Sequence, residues 1–197
     1  GKWLVEALHV LSISIVLVLT SIVIQGVLID GEVFAWRDML HVDSLAAVFL
    51  PIVGVVGFLV GLYSLGYIRN DLQTGELKEG QVSLYYALFE LFLFTMLLVV
   101  TANNIIIMWV AIEATTLGSA FLVGIYGQRS SLEAAWKYVI ICTVGVAFGL
   151  YGTILVYSDA VNFLVEEGKA SLWTEIVKNA GALDPTLLKM AFVFVLI

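Results

Sequence analysis

The sequence contains little charge and few residues that bind metals or form disulfides. Only 13% of its 197 residues are Asp, Glu, Lys or Arg, about half the share found in an ordinary soluble domain. The lone cysteine, Cys142, excludes an internal disulfide and cannot supply an iron–sulfur or zinc ligand set. The two histidines, His9 and His41, lack metal-ligand spacing and are interpreted as interfacial rather than catalytic. A net charge of −7 disfavours a nucleic-acid partner.

Motifs for covalent or redox chemistry are missing as well. The sequence shows no glycine-rich phosphate loop and no Ser/His/Asp constellation. It therefore predicts no catalytic residue, no metal site and no cofactor held by the chain itself.

Long apolar runs dominate what is present. The chain is 61% hydrophobic, its mean hydropathy is +1.05, and several runs exceed the ~18 apolar residues of a spanning helix. Backbone groups in lipid must be satisfied internally, so the spans are helices. We predict an all-α, polytopic transmembrane helix bundle with five full spans and the start of a sixth at 186–197. The five spans are residues 3–29, 44–67, 81–101, 103–127 and 131–157.

We interpret residues 1–197 as a single transmembrane domain that is a fragment of a larger fold. The first residue is glycine rather than methionine, and the last apolar run stops in mid-sequence. Residues 158–185 are expected to be an extramembrane connection. Within it, residues 170–179 are predicted to form a short interfacial helix, because four apolar residues fall on one helical face: Leu172, Trp173, Ile176 and Val177.

Glu113 is the one acid within the fourth predicted span. A carboxylate near the bilayer centre costs a few kcal/mol, and such residues usually face a bundle interior. Helical spacing places Thr116 and Ala120 on its face. We interpret Glu113 as a proton or ion site sheltered inside the helix bundle within the lipid bilayer; the alternative is a structural acid that is hydrogen-bonded to a neighbouring helix.

Two further ionisable residues are candidates for the same path. Lys137 lies six residues into the fifth predicted helix, or roughly 9 Å. It could communicate with Glu113 through water, or it could reach the headgroups as an anchor. Glu90 is expected at a depth similar to Glu113, as a second protonatable site or a structural hydrogen-bonding group. Glu133 is interpreted as half of a capping box with Ser130.

Four stretches of the sequence resemble one family. They are HVDSLAAVFL with LYSLGYIRND, YYALFELFLFTMLLVVTANN, IIIMWVAIEATTLGSAFLVGIYG and SLEAAWKYVIICTVGVAFGLYGT. They are similar to the third to sixth spanning helices of the antiporter-like membrane subunits of complex I, Mrp cation/proton antiporters and membrane-bound hydrogenases. The resemblance covers roughly residues 42–197. EATTLGSAFLVGIYG, EAAWKYVIICTVG and the acid at Glu90 most resemble the hydrogenase-4 and formate hydrogenlyase-type subunits.

The resemblance implies roles for particular residues. Glu113 matches the family's fifth-helix glutamate and Lys137 its sixth-helix lysine, a pair thought to modulate each other's proton affinity along a hydrated axis. Glu90 would be accessory. Redox centres would lie on peripheral iron–sulfur and hydrogenase-type partner subunits. A further lysine of the family's seventh helix would fall beyond residue 197.

The leading hypothesis is therefore a proton-translocating, antiporter-like subunit of a membrane-bound hydrogenase or related oxidoreductase, in the cell inner (cytoplasmic) membrane. Lys and Arg residues outside the spans are slightly more numerous on the side of the amino terminus, which places that terminus in the cytoplasm. Two rivals stay open. One is the equivalent subunit of complex I or of an Mrp antiporter, which could move sodium; the other is a non-conducting membrane scaffold.

Overall fold

The computed structural model describes residues 2–166 and 168–196, so the two chain ends at residues 1 and 197 lie outside the described residues. Nearly all regular structure is helical, with one short hairpin. In chain order the elements are α1 Lys2–Asp30, β1 Val33–Ala35, β2 Leu40–Val42, α2 Ala46–Thr74, α3 Glu79–Thr101, α4 Ile105–Gly124, α5 Arg129–Ala160, α6 Trp173–Lys178 and α7 Pro185–Leu196.

Five helices, α1 to α5, are long and apolar enough to cross a membrane, and α7 is a shorter apolar helix. This confirms the predicted bundle of five spans with the start of a sixth. The antiparallel hairpin of β1 and β2 is an addition to the predicted all-α class. It lies in the hydrophilic connection between the first two spans, and its Leu40 also forms a backbone bridge to Ala102.

The first three helices pack closely because glycines on α2 leave room for their neighbours. A Cβ at Gly61 would lie 2.8 Å from Ile13 of α1, and one at Gly57 would lie 2.6 Å from Leu93 of α3. The two glycines of α2 therefore contact helices on both sides. Such close approach is the usual packing device where neighbouring lipid offers no hydrophobic driving force.

Helix α2 runs about two turns beyond the predicted end at residue 67. Two side-chain contacts hold this extension. Arg69 donates from Nε and Nη2 to the two carboxylate oxygens of Glu6 on α1, at 3.0 and 2.6 Å. Asp71 is buried and accepts from Tyr126, and the helix ends at Gly75 with φ of 78°.

Between α5 and α7 the chain returns to the start of α4. Trp173 N donates to Asn103 O at 2.7 Å, and Asn104 Nδ2 donates to Ser171 Oγ at 2.8 Å. The helix in this connection, α6, is shorter than predicted and does not present one apolar face. Leu172 and Ile176 are buried, whereas Trp173 and Val177 are exposed.

Candidate functional site

Glu113 is positioned by a helix whose start is firmly capped. Asn104 Oδ1 accepts hydrogen bonds from Ile106 N and Ile107 N, at 3.0 and 3.1 Å, which satisfies two of the unpaired amides at the start of α4. Glu113 follows eight residues after Ile105, or about 12 Å along the axis. The capped helix therefore carries the carboxyl group well inside the span.

The carboxyl group of Glu113 lies at the contact between α4 and α5. Thr143 Oγ1 donates to Glu113 Oε1 at 3.1 Å. The other oxygen, Oε2, is buried and has no hydrogen-bond partner in the described part of the chain. Thr116 was predicted to provide a polar face beside Glu113, but its hydroxyl donates to the Ile112 carbonyl of its own helix. The polar partner comes from α5 instead.

Lys137 is not in contact with Glu113. Its Nζ lies 2.6 Å from Glu133 Oε1, and both side chains are more than half exposed. Two contacts give the antiparallel register of α4 and α5: Glu113 with Thr143, and Ser119 with Tyr138 at 3.2 Å. Lys137 precedes Thr143 by six residues, so it lies about 9 Å along the axis from the level of Glu113.

The capping-box interpretation of Glu133 is wrong. Helix α5 begins at Arg129, with Gln128 as the capping residue and no side-chain capping bond. Because Glu133 and Lys137 are four residues apart on one helix, they face each other and pair instead.

Glu90 lies within a polar cluster formed by α1, α2 and α3. Its Oε1 is 2.7 Å from His9 Nδ1, and its Oε2 accepts from Ser12 Oγ at 2.8 Å. His9 is fully buried at the side chain, whereas the Glu90 side chain is 27% exposed. The expectation of an interfacial His9 is therefore wrong. We call His9, Ser12, Glu90 and Ser64 the histidine cluster.

The second ring nitrogen of His9 faces helix α2. His9 Nε2 is 3.2 Å from Gly61 O and 3.5 Å from Ser64 Oγ, while Ser64 Oγ donates to Gly61 O at 2.7 Å. The ring reaches this carbonyl because residue 61 has no side chain: a Cβ there would lie 3.2 Å from Nε2. The histidine cluster thus depends on the small residue at position 61.

Glu90 and Glu113 are not at the same depth. Gly118 of α4 lies beside Phe92 of α3, and Gln81 Nε2 donates to Ile125 O. These two contacts place Glu90 opposite the stretch just after Gly118, about five residues, or ~8 Å, from the level of Glu113. The histidine cluster and Glu113 are therefore two separate polar positions within the bundle.

A third polar position lies at the end of α4. Tyr126 Oη donates to Asp71 Oδ2 at 2.8 Å and lies 3.0 Å from Tyr67 Oη. Burial, together with these two hydrogen bonds, raises the pKa of the Tyr126 hydroxyl. The group therefore stays protonated and serves as a fixed donor to the buried Asp71.

His9, Ser12 and Thr143 contact the candidate residues Glu90 and Glu113, and the sequence analysis did not predict these contacts. His9 is an ionisable residue well inside a long apolar run, and Ser12 follows it at a helical spacing that puts both on one face. That pattern was a usable signal. The sequence around Thr143 gives no such signal, because its contact with Glu113 depends on the register between two helices. Within residues 2–166 and 168–196, no group of three or more His, Cys, Asp and Glu side chains could hold a metal ion.

Two family models match most of the chain in succession. The first, described as NADH-ubiquinone oxidoreductase (complex I), chain 5 N-terminus, matches residues 37–75. The second, described as NADH:quinone oxidoreductase/Mrp antiporter, TM, matches residues 102–195 and so includes Glu113 and Lys137. The chain belongs to the antiporter-like membrane subunit family. The resemblance drawn from the four sequence stretches is confirmed.

Relatives of this antiporter-like chain are much longer. It is 39% identical over 156 residues to a hydrogenase-4 component F homolog from Methylacidiphilum infernorum, a match that covers 79% of this chain and 33% of the relative. It is 31% identical over 134 residues to Na(+)/H(+) antiporter subunit A1 from Staphylococcus aureus, covering 68% of this chain and 16% of the relative. The chain thus spans a third or less of these relatives' length.

A solved structure carries the same fold. The membrane-bound sulfane sulfur reductase, an archaeal respiratory membrane complex, contains a chain that superposes with a TM-score of 0.71 at 18% identity. The superposition covers 99% of this antiporter-like chain and 38% of the other. The fold of this chain therefore matches part of a larger membrane architecture.

Proposed function

We propose that the chain is the proton-conducting part of an antiporter-like subunit in a membrane-bound hydrogenase or related oxidoreductase complex. The complex would lie in the cytoplasmic membrane, and iron–sulfur and hydrogenase-type partner subunits would hold the redox centres. Support comes from family membership and from the hydrogenase-4 component F homolog among the relatives. The chain itself would bind and pass protons rather than electrons.

The observation that carries this proposal is the environment of Glu113. One carboxylate oxygen accepts from the hydroxyl of Thr143, and the other is buried with no hydrogen-bond partner among the residues that the structure describes. An ionised carboxylate that keeps a bare buried oxygen is costly, whereas a protonated one can donate from that oxygen. The site is therefore suited to gaining and losing a proton, as ionisable residues inside membrane spans commonly do.

Lys137 and Glu90 would serve the same path in different ways. Lys137, about 9 Å from the level of Glu113 along the helix axes, would act on it through water and through its charge. Glu90 lies on the far side of α4 from α5, in contact with α1. A path that uses all three must therefore cross between helices rather than follow one helix.

The decisive experiment compares three variants in the intact, reconstituted complex. Glu113→Gln keeps the size of the side chain and its bond from Thr143 but cannot ionise. We expect it to slow proton transfer by about a hundredfold or more, as for loss of a proton-transfer group, with assembly intact. Lys137→Ala tests the lysine, and Glu76→Gln, an exposed acid in the link between α2 and α3, is the matched control. A complex that pumps normally with Glu113→Gln would establish the scaffold alternative.

A second candidate function is sodium movement, because one relative is named a Na(+)/H(+) antiporter subunit. The same vesicles distinguish the two ions when proton uptake is followed with and without sodium. Mass spectrometry of the intact native complex then identifies its class. Iron–sulfur and nickel-site subunits support the hydrogenase proposal, and their absence supports the antiporter alternative.

A further inference from the structure

The buried side chain of His9 sits between two groups that both accept hydrogen bonds. Its Nδ1 is 2.7 Å from Glu90 Oε1, and its Nε2 is 3.2 Å from Gly61 O. A carbonyl oxygen cannot donate, so Nε2 must carry a hydrogen to make that bond. Ser64 already donates its hydroxyl hydrogen to the same carbonyl, and its oxygen therefore also faces Nε2 as an acceptor.

The proton count of the pair follows from this geometry. With a hydrogen on Nε2 alone and an ionised Glu90, two lone pairs would face each other across 2.7 Å, which is repulsive. One further proton must therefore lie between Nδ1 and Oε1. It can belong to the ring, giving imidazolium and carboxylate, or to the acid, giving imidazole and carboxylic acid. In both forms the pair holds the same number of protons.

From this arrangement we infer that His9 and Glu90 form a second proton-binding site, separate from Glu113, which holds one exchangeable proton between the two side chains. The inference rests on the proposed function, because it makes the site a stage in proton transfer. Loading adds one proton to the pair and release removes it, with no change in electrons. On release, the proton between Nδ1 and Oε1 leaves through Glu90, Nε2–H continues to donate to Gly61 O, and the ionised carboxyl group turns away from the bare Nδ1.

Access to the site comes through Glu90. The His9 side chain is fully buried, but that of Glu90 is 27% exposed, so protons reach the pair from the carboxyl end. Ser12 donates to the second oxygen of Glu90 and holds the carboxyl group toward the ring. Ser12 is thus a positioning residue.

The surroundings add few other charges. The Tyr86 and Phe89 rings of α3 lie 4.5 and 5.2 Å from the His9 ring. The nearest ion pair, Glu6 of α1 with Arg69 of α2, lies about one helical turn toward the start of the chain and is internally neutralised. The charge of the cluster is therefore decided mainly within the His9–Glu90 pair.

Protonation can be read directly in the full-length subunit within its complex. Nitrogen-15 NMR of labelled histidine, with the His9 signals assigned by difference from His9→Gln, reports whether each ring nitrogen carries hydrogen. Infrared spectroscopy reports a protonated Glu90 through the carboxylic acid band that Glu90→Gln removes. We expect either a ring with both nitrogens protonated or a protonated Glu90. A ring with one bare nitrogen beside an ionised Glu90 across the neutral pH range would overturn the inference.

Proton transfer provides the second readout. Glu90→Gln keeps hydrogen bonds to His9 and Ser12, so a merely structural role predicts wild-type transfer. We expect instead a loss of about a hundredfold or more, typical of a missing proton-transfer group, and one fewer titrating step in the pH profile. Ser14→Ala is the control, because that hydroxyl bonds only its own helix at Val10 O. Normal proton transfer in both Glu90→Gln and Glu113→Gln would reject both proposals. Normal proton transfer in Glu90→Gln, with slowed transfer in Glu113→Gln, would reject only this one.

Discussion

Asn103 lies where three segments of the chain meet, so its truncation should destabilise the fold that positions Glu113. The side chain is buried. Its Nδ2 donates to Asp38 O at 2.7 Å and to Thr174 Oγ1 at 2.9 Å, and its Oδ1 accepts from Thr174 N at 3.1 Å. Asp38 belongs to the hairpin turn, and Thr174 to the first turn of α6. One amide group thus joins both to the start of α4.

The magnitude follows from those three hydrogen bonds. Each contributes about 0.5–1.5 kcal/mol net, and more where a buried partner is left without a replacement. Asn103→Ala leaves Asp38 O and Thr174 N without this partner, although water can enter at the helix end. We therefore expect the free energy of unfolding to fall by about 2–4 kcal/mol, from the sum of three such bonds.

The assay is denaturant or SDS titration of the full-length subunit, followed by tryptophan fluorescence. Asn162→Ala is the matched control, because Asn162 is exposed and the only described bond of its side chain, at 3.4 Å, is to Ser158 O of the preceding turn. That change should stay within about 0.5 kcal/mol of wild type. Equal midpoints for the two variants would refute the argument that Asn103 joins the three segments.

Three further changes test individual contacts. Thr143→Val removes the donor to Glu113 and should slow proton transfer about tenfold, whereas Thr143→Ser should restore it. Tyr126→Phe leaves the buried Asp71 without its donor and should cost about 1–3 kcal/mol of stability in a denaturant titration. The backbone amides of Leu187 and Thr186 hold the pKa of Asp184 below its ordinary value. Its carboxylate therefore stabilises the fold at neutral pH, and this is lost as the pH falls through the lowered pKa; unfolding of Asp184→Asn should vary less between neutral and acidic pH.

Each of these has a control or a contrary outcome. Tyr63→Phe removes a hydroxyl from an exposed tyrosine on α2 and should leave stability unchanged, so an equal loss in both tyrosine variants would contradict the role of Asp71. Wild-type transfer in Thr143→Val would mean that the bond to Glu113 is dispensable. For Asp184, identical pH profiles for acid and amide would show that its ionisation does not contribute.

The spanning helices could be predicted because the bilayer sets both their length and their composition. The third span was predicted at 81–101 and forms at Glu79–Thr101. The end of α2 could not be predicted, because the residues after position 67 are polar and resemble a loop by composition. Contacts of Arg69 with Glu6 and of Asp71 with Tyr126, together with the burial of Ile68, stabilise that segment as a helix. These are pairings between distant residues that local pattern does not reveal.

The candidate site was predictable to the same extent. Glu113 stands out as a lone acid in an apolar run, so its half-buried position inside a span could be predicted from the sequence pattern alone. The contact of Glu113 with Thr143 depends on the register between α4 and α5, which a single sequence does not determine. His9 was expected to be interfacial, because its sequence neighbours do not reveal which helix packs against it. The pairing of α1 with α3 buries it beside Glu90 instead.

The positions of the three candidate residues limit how protons can pass between them. Ser119 contacts Tyr138, next to Lys137, and Gly118 faces Phe92, close to Glu90. Lys137 and Glu90 therefore lie at about one level on opposite sides of α4, while Glu113 lies roughly 8–9 Å away along the axes. Hydrogen bonds span at most about 3.2 Å, so no direct transfer joins these residues. If all three belong to one path, water must complete it, and the unpaired Oε2 of Glu113 is where the first such water would bind.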